Sequence, residues 1–249
     1  MAEWFKPLAE WFESFKADFI LNFVEDNRWK YLLNGLGTTL KITIVAVLIG
    51  IVIGTLIAIV RSTWDQNKAT MRRGIGRALL GIVNAVCQLY LTVIRGTPVV
   101  VQLMIIYYVI FASSDNGVAV AMLAFGINSG AYVAEIIRGG IMAIDRGKLE
   151  AGRSLGFNFV QTMRYVIIPQ ALKNVLPALA NEFIVLLKET SVAGYVAVTD
   201  LTKGGDIIRS RTYAPFLPLI AVALIYLVMV VFFTWLVGKL ERRLRSSDH

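Results

Sequence analysis

Long apolar runs alternate with short polar intervals along this chain. The runs cover residues 42–60, 97–114, 117–134, 171–187 and 212–238, and their lengths predict membrane-crossing helices. Residues 1–31 follow another rule. Trp4, Phe5, Leu8, Trp11, Phe12, Phe15, Phe19 and Phe23 recur at helical spacing with charges between them. That pattern predicts an amphipathic helix at the membrane surface, with partner docking as the other use of such a face. Acidic residues interrupt it and no apolar core with a cleavage site follows, so it is not read as a signal peptide. Residues 78–94 are apolar too, but Asn84, Gln88, Thr92 and Arg95 draw a polar stripe along one face. A separate crossing there would put the basic interval 138–173 outside. The stretch is therefore expected along the inner face or beside the bundle, leading into the run at 97–114. The fold expected is all-α. It is an integral membrane bundle of about five transmembrane helices, with residues 1–32 as an N-terminal amphipathic segment and 33–245 as the transmembrane domain.

Charge orients the bundle. Arg61, Lys68, Arg72, Arg73 and Arg77 stand against Asp65 in the first interval. Arg138, Arg146, Lys148, Arg153, Arg164 and Lys173 stand against Asp145 and Glu150 in a later one. Basic intervals stay cytoplasmic. The tail, with Lys239, Arg242, Arg243 and Arg245, is basic as well, whereas acids outnumber bases before residue 31. Five crossings then leave the N-terminus outside and the C-terminus inside. Over 249 residues the chain is 57% hydrophobic, so the net charge of +8 belongs to these intervals and does not imply nucleic acid. Cys87 is the only cysteine and His249 the only histidine, which excludes an intrachain disulfide and a Cys/His metal site. No cofactor is expected.

The run at 171–187 is the unusual one. Pro169 and Pro177 interrupt it, Glu182 lies within it, and Lys188 and Glu189 follow. Ionisable residues at depth face a bundle interior or an aqueous cavity. Glu182 and Glu189 are two helical turns apart on one face, with Asn181 beside the first. Two carboxylates so placed suit an α-ammonium or a cationic side chain; pairing with Lys and Arg of another helix is the structural alternative. Gln102 either bonds between helices or touches a cargo. Arg95 either snorkels to the interface or gates. Glu135 and Arg138, one turn apart, are expected to pair, with a pathway role for Glu135 as the sharper alternative. Ser191, Ala193 and Gly194 permit a tight or re-entrant turn. Lys203, Gly204 and Gly205 read as an exposed loop.

The interval from Glu150 to Pro169, EAGRSLGFNFVQTMRYVIIP, organises the rest. Leu149 to Leu155 can form a short helix. Gly156 can stop it in a left-handed conformation. Asn158 can start a second helix, with Gln161 as its reciprocal cap. Ala151, Gly152 and Gly156 would leave a surface of small residues.

This spacing of Glu150, Ala151, Gly152, Gly156, Val166, Ile168 and Pro169 resembles the EAA loop of ATP-binding-cassette (ABC) importer permeases. Positions 152, 166 and 168 depart conservatively from the usual Ala, Ile and Leu. Three more stretches resemble the polar amino-acid permeases of that class, in order: NGLGTTLKIT, RGTPVVVQLMIIYYVIF and NSGAYVAEIIRGGI. KETSVAGYVAVTDLTKGGD extends the likeness, which runs from about residue 33 to 240.

The resemblance implies the permease subunit of a type I importer, working by alternating access in a bacterial inner membrane. It implies a second permease subunit (a copy of itself or a homologue), a cytoplasmic ABC ATPase dimer, an extracytoplasmic substrate-binding protein and an amino acid as cargo. Glu150, Ala151, Gly152, Arg153 and Gly156 would couple to the ATPase. Glu182, Glu189, Gln102 and Asn181 would lie on the path. The chain has no G-x-x-x-x-G-K-[ST] pattern, so ATP hydrolysis would belong to the partner, and the subunit itself is no enzyme. Two other classes compete: an autonomous channel or proton-coupled secondary transporter, and a non-transporting membrane scaffold.

Overall fold

The computed structural model describes residues 6–68, 71 and 74–245. Trp4, Phe5, Arg72 and Arg73 lie outside them. All the regular elements among the described residues are helical. They are α1 (Lys6–Phe19), α2 (Trp29–Asn67), α3 (Ile75–Gly96), α4 (Val99–Ile105), α5 (Gly117–Met142), α6 (Arg146–Ser154), α7 (Phe159–Thr162), α8 (Ile168–Glu189), α9 (Leu201–Thr212) and α10 (Phe216–Arg245). Wide π-helical turns at Ile20–Val24, Ile106–Ile110 and Met163–Ile167 extend α1, α4 and α7.

By length and apolarity α2, α3, α5 and α10 can each cross a membrane. Helix α8 has the length, with 22 residues, but Lys173, Glu182, Lys188 and Glu189 keep it too polar to stand beside them on composition. The first crossing is longer than residues 42–60. Helix α2 runs unbroken for 39 residues, about 58 Å.

The second crossing is divided differently from the expectation. The stretch 78–94 is the body of α3, 22 residues or about 33 Å, and packs beside the bundle, one of the two placements expected. Val99–Ile110 is only 12 residues, about 18 Å, too short to cross alone. Extended backbone at Thr97 and Pro98 separates them. Tyr90 on one side of this break donates to the Ile127 carbonyl, and Gln102 on the other bonds Asn128. Both touch the middle of α5, so α3 and Val99–Ile110 share one crossing.

Helices α2 and α5 form the core seam. A Cβ on Gly50 would stand 2.8 Å from Ser129 Oγ, and one on Gly54 2.6 Å from Val133 Cγ1 and 2.8 Å from the Ala134 backbone nitrogen. From the other side, a Cβ on Gly126 would stand 2.6 Å from Ile49 Cγ2. Residue numbers rise together along both helices, so they run parallel. Helix α8 is antiparallel to α5, because Glu182 meets Ser129 while Val175 meets Gly140. The largest buried cluster, with Ile42, Leu103, Phe125 and Leu186, lies where α2, α4, α5 and α8 converge.

Gly204 and Gly205 are not in an exposed loop. They lie buried in α9, capped by Asp200, whose carboxylate accepts from the Thr202 and Lys203 amides. A Cβ on Gly204 would come within 2.5 Å of the Tyr31 carbonyl oxygen, and one on Gly205 within 2.4 Å of Val222 Cγ2. These glycines let α9 pack between α2 and α10. The N-terminal elbow is tied to the same place. Asp26 and Asn27 take positive φ, and the fully buried Asn22 accepts from Thr212 Oγ1 at 2.8 Å. Trp11, Phe12, Phe15 and Phe19 remain exposed on α1.

Gly54→Ala should lower the melting temperature of the detergent-solubilised protein, with a cost of about 1–3 kcal/mol from overpacking against Val133 and the α5 backbone. Gly37→Ala, which meets nothing within 4 Å, should leave it unchanged or slightly higher.

Candidate functional sites

Two regions carry the expected functional residues. The first is the loop after α5. Asp145 caps α6 by accepting from the Gly147 amide at 2.7 Å. Helix α6 ends at Ser154, and Gly156 takes φ +87°, the left-handed conformation that glycine adopts without a Cβ clash. Asn158 and Gln161 then make the reciprocal capping box, each bond 2.9 Å. Glu150, Ala151 and Arg153 are exposed on α6. Gly152 is not part of an exposed small-residue surface. It is buried, and a Cβ there would stand 2.5 Å from Thr162 Cγ2. Its smallness closes the elbow between α6 and α7. Glu150 and Arg153 border a cavity of about 500 Å³ whose other walls include Asp65, Met142 and Ile167. Leu155, Val160 and Tyr165 stay exposed around the elbow.

The second region is inside the bundle. Glu182 is 8% exposed and accepts a 3.0 Å bond from Ser129 Oγ on α5. Glu189, two turns on, is half-buried at the end of α8. Asn181 is exposed on a different face, so it does not join them. No Lys or Arg among the described residues stands within ion-pair distance of Glu182. Thr190 to Val196 then turn tightly as a 3₁₀ helix with Ala193 buried.

Gln102 bonds between elements. Its amide nitrogen donates to the Ile94 carbonyl at 2.7 Å and to Thr97 Oγ1 at 2.7 Å, while its oxygen accepts from Asn128 at 2.9 Å. It thereby holds the broken crossing together. Glu135 and Arg138 pair at 2.9 Å as their spacing suggested, and Arg138 also reaches Asp65 at 3.6 Å.

Sequence reasoning missed two arrangements. Ser129, partner of Glu182, reads in the chain as one more small residue in a packing stretch. Arg61, Gln88, Thr92, Arg95 and Glu135 come together around a cavity of about 380 Å³ between α2, α3 and α5. The stripe on α3 signalled half of this; Arg61 read only as one charge of a basic interval.

A family model described as "binding-protein-dependent transport system inner membrane component" matches residues 73–246. The chain belongs to that family. Among its relatives is the arginine transport system permease protein ArtQ of Bacillus subtilis, 35% identical over 88% of this chain and 94% of that one. Another is the glutamine transport system permease protein GlnP of Escherichia coli K12, 36% identical over 86% of this chain and 93% of that one. A solved amino acid ABC transporter with histidines superposes with a TM-score of 0.77 at 43% identity, covering 89% of this chain and 98% of that one. The inward-facing MetNI methionine ABC transporter shares the fold, with a TM-score of 0.70 at 20% identity over 88% of this chain and 98% of that one. This is a multi-pass permease subunit of an ABC importer, a transport component and not a catalytic one.

Gln102→Leu should destabilise the bundle by about 1–3 kcal/mol, because Asn128 and the carbonyls at the break lose their buried partner. A thermal shift assay in detergent reads this as a lowered melting temperature, larger than that of Gln88→Leu on exposed α3 surface.

Proposed function

We propose that this permease carries a polar amino acid, with Glu182 and Glu189 on the path and the α6 elbow as the coupling site. The observation that carries the reading is a carboxylate buried inside the bundle with a serine as its partner. Such a group is costly in a membrane unless it serves a cargo. The related permeases named for arginine and glutamine, and the structural relative with histidines, support an amino acid as that cargo. Gln102 acts on this path by holding its wall, and Asn181 lies exposed on another face of α8.

The working assembly has two permease subunits, self or homologous, two ATPase subunits beneath them and a binding protein above. Glu150, Ala151, Arg153 and Gly156 meet the ATPase, with Gly152 shaping the elbow that presents them. The basic intervals face the cytoplasm, so the N-terminus lies outside and the C-terminus inside a bacterial inner membrane. Residues 1–32 are an added segment and 33–245 the permease domain. ATP-driven closure of the ATPases draws the elbows together and opens the bundle outward; their release lets the amino acid leave inward. A gradient-driven carrier would also use a buried Glu182, but it leaves the capped, exposed elbow without a role.

Affinity purification from native membranes tests this reading. The wild type should bring down a P-loop ATPase in stoichiometric amount, and Glu150→Ala should retain it roughly tenfold less well. Wild-type protein that brings down no ATPase in mild detergent would instead favour the gradient-driven carrier. In proteoliposomes with all partners, Glu182→Gln should lower ATP-dependent amino-acid uptake by about tenfold or more while leaving ATPase retention intact.

A further inference from the structure

The cavity between α2, α3 and α5 holds charge that the bundle itself does not balance. Arg61 and Arg95 both line it and both feel the Glu135 carboxylate, but among the described residues neither has a carboxylate within ion-pair distance. Arg61 Nε is buried without a hydrogen-bond partner. The Arg95 guanidinium rests on the Tyr132 ring, 5.7 Å from its centre. Glu135 shares the cavity, but Arg138 holds its carboxylate at 2.9 Å, and Arg138 is itself shared with Asp65. Three guanidiniums thus face two carboxylates that are already engaged, and Lys68 adds a further cation to Asp65 at 3.7 Å. A membrane protein rarely leaves two arginines unanswered beside an open cavity. Arg presents a planar fork that takes a carboxylate through two parallel hydrogen bonds. Gln88 and Thr92, on the same wall, add neutral polar groups. About 380 Å³ is room for a free amino acid.

We propose that this cavity is a second station for the cargo, separate from the acidic face of α8, and that Arg61 and Arg95 hold the α-carboxylate there. The division of labour is by charge. Glu182 and Glu189 suit the cationic end of an amino acid, and this cavity suits its anionic end. The inference rests on the reading of the chain as an amino-acid permease.

The test uses the permease purified with its ATPase in nanodiscs. Arginine, glutamine and histidine are each compared with their α-carboxamides, which keep the side chain and ammonium but lose the negative charge. Wild type should prefer the free acid of its cargo by about tenfold or more. Arg61→Gln and Arg95→Gln should each reduce that preference severalfold, and Arg95→Lys should restore part of it. A structural role alone would change melting temperature and total binding without changing the acid-to-amide ratio. An unchanged ratio in both glutamine variants overturns the proposal. So does a phospholipid that native mass spectrometry finds on the wild type and not on the variants, with the ratio unchanged, since the arginines would then serve a lipid phosphate. ATP-dependent uptake in proteoliposomes separates the two readings. If the wild type takes up no amino acid, the permease reading fails and this inference with it; if it takes one up while the ratio is unmoved by the variants, only this inference fails.

Discussion

Everything in this bundle leans on the close parallel contact of α2 with α5. In a bilayer, apolar side chains gain nothing by leaving lipid for one another, so helices associate through tight packing and polar bonds. Gly50 and Gly54 on one helix, and Gly126 and Gly130 on the other, bring the two backbones together. The remaining helices are added to this pair by individual polar contacts. Helix α8 joins through Glu182 and Ser129, α3 through Tyr90 and the Ile127 carbonyl, and α4 through Gln102 and Asn128. Helix α9 joins at the far end, where the Leu201 amide donates to Thr39 Oγ1 at 3.1 Å. Ser129 belongs to both systems: it packs against Gly50 and bonds Glu182. The seam therefore positions the buried carboxylate directly.

The inner elbow was almost fully legible in the sequence. Its signals are local: a left-handed glycine and an Asn–Gln capping box each act within a few residues. The pairing of Glu135 with Arg138 was legible for the same reason. What distance along the chain hides was less so. Gly204 and Gly205 look like a loop because their partners, Tyr31 and Val222, lie far away in sequence. Gly152 looks like a docking surface until Thr162 folds back over it. The break at Gly96–Pro98 opens the apolar run 97–114 and so looks like the start of a span. The contact of both flanks with the middle of α5 shows that it is the middle of one.

The two polar regions differ in how far their charges are answered. On α8, the carboxylate of Glu182 has one neutral partner. Between α2, α3 and α5, the carboxylates have direct arginine or lysine partners, whereas Arg61 and Arg95 reach Glu135 only at longer range. Neither arrangement adds stability by itself, because desolvating a charge costs more than a single bond returns. The bundle tolerates them because the seam beside them is packed tightly enough to carry the deficit.

The elbow and the buried carboxylate are also joined mechanically. From Phe159 through the π-helical turn to Glu189 the chain stays helical without a gap, 31 residues or about 46 Å. It is one continuous helical stretch with Pro169 and Pro177 within it, held at its foot by Gly152 on Thr162 and midway by Val175 on Gly140. A helix of that length, turning as one piece by roughly five degrees at its foot, moves its tip by about 4 Å. A nudge too small to unpack α6 would thus become, at the level of Glu189, a displacement wider than a hydrogen bond.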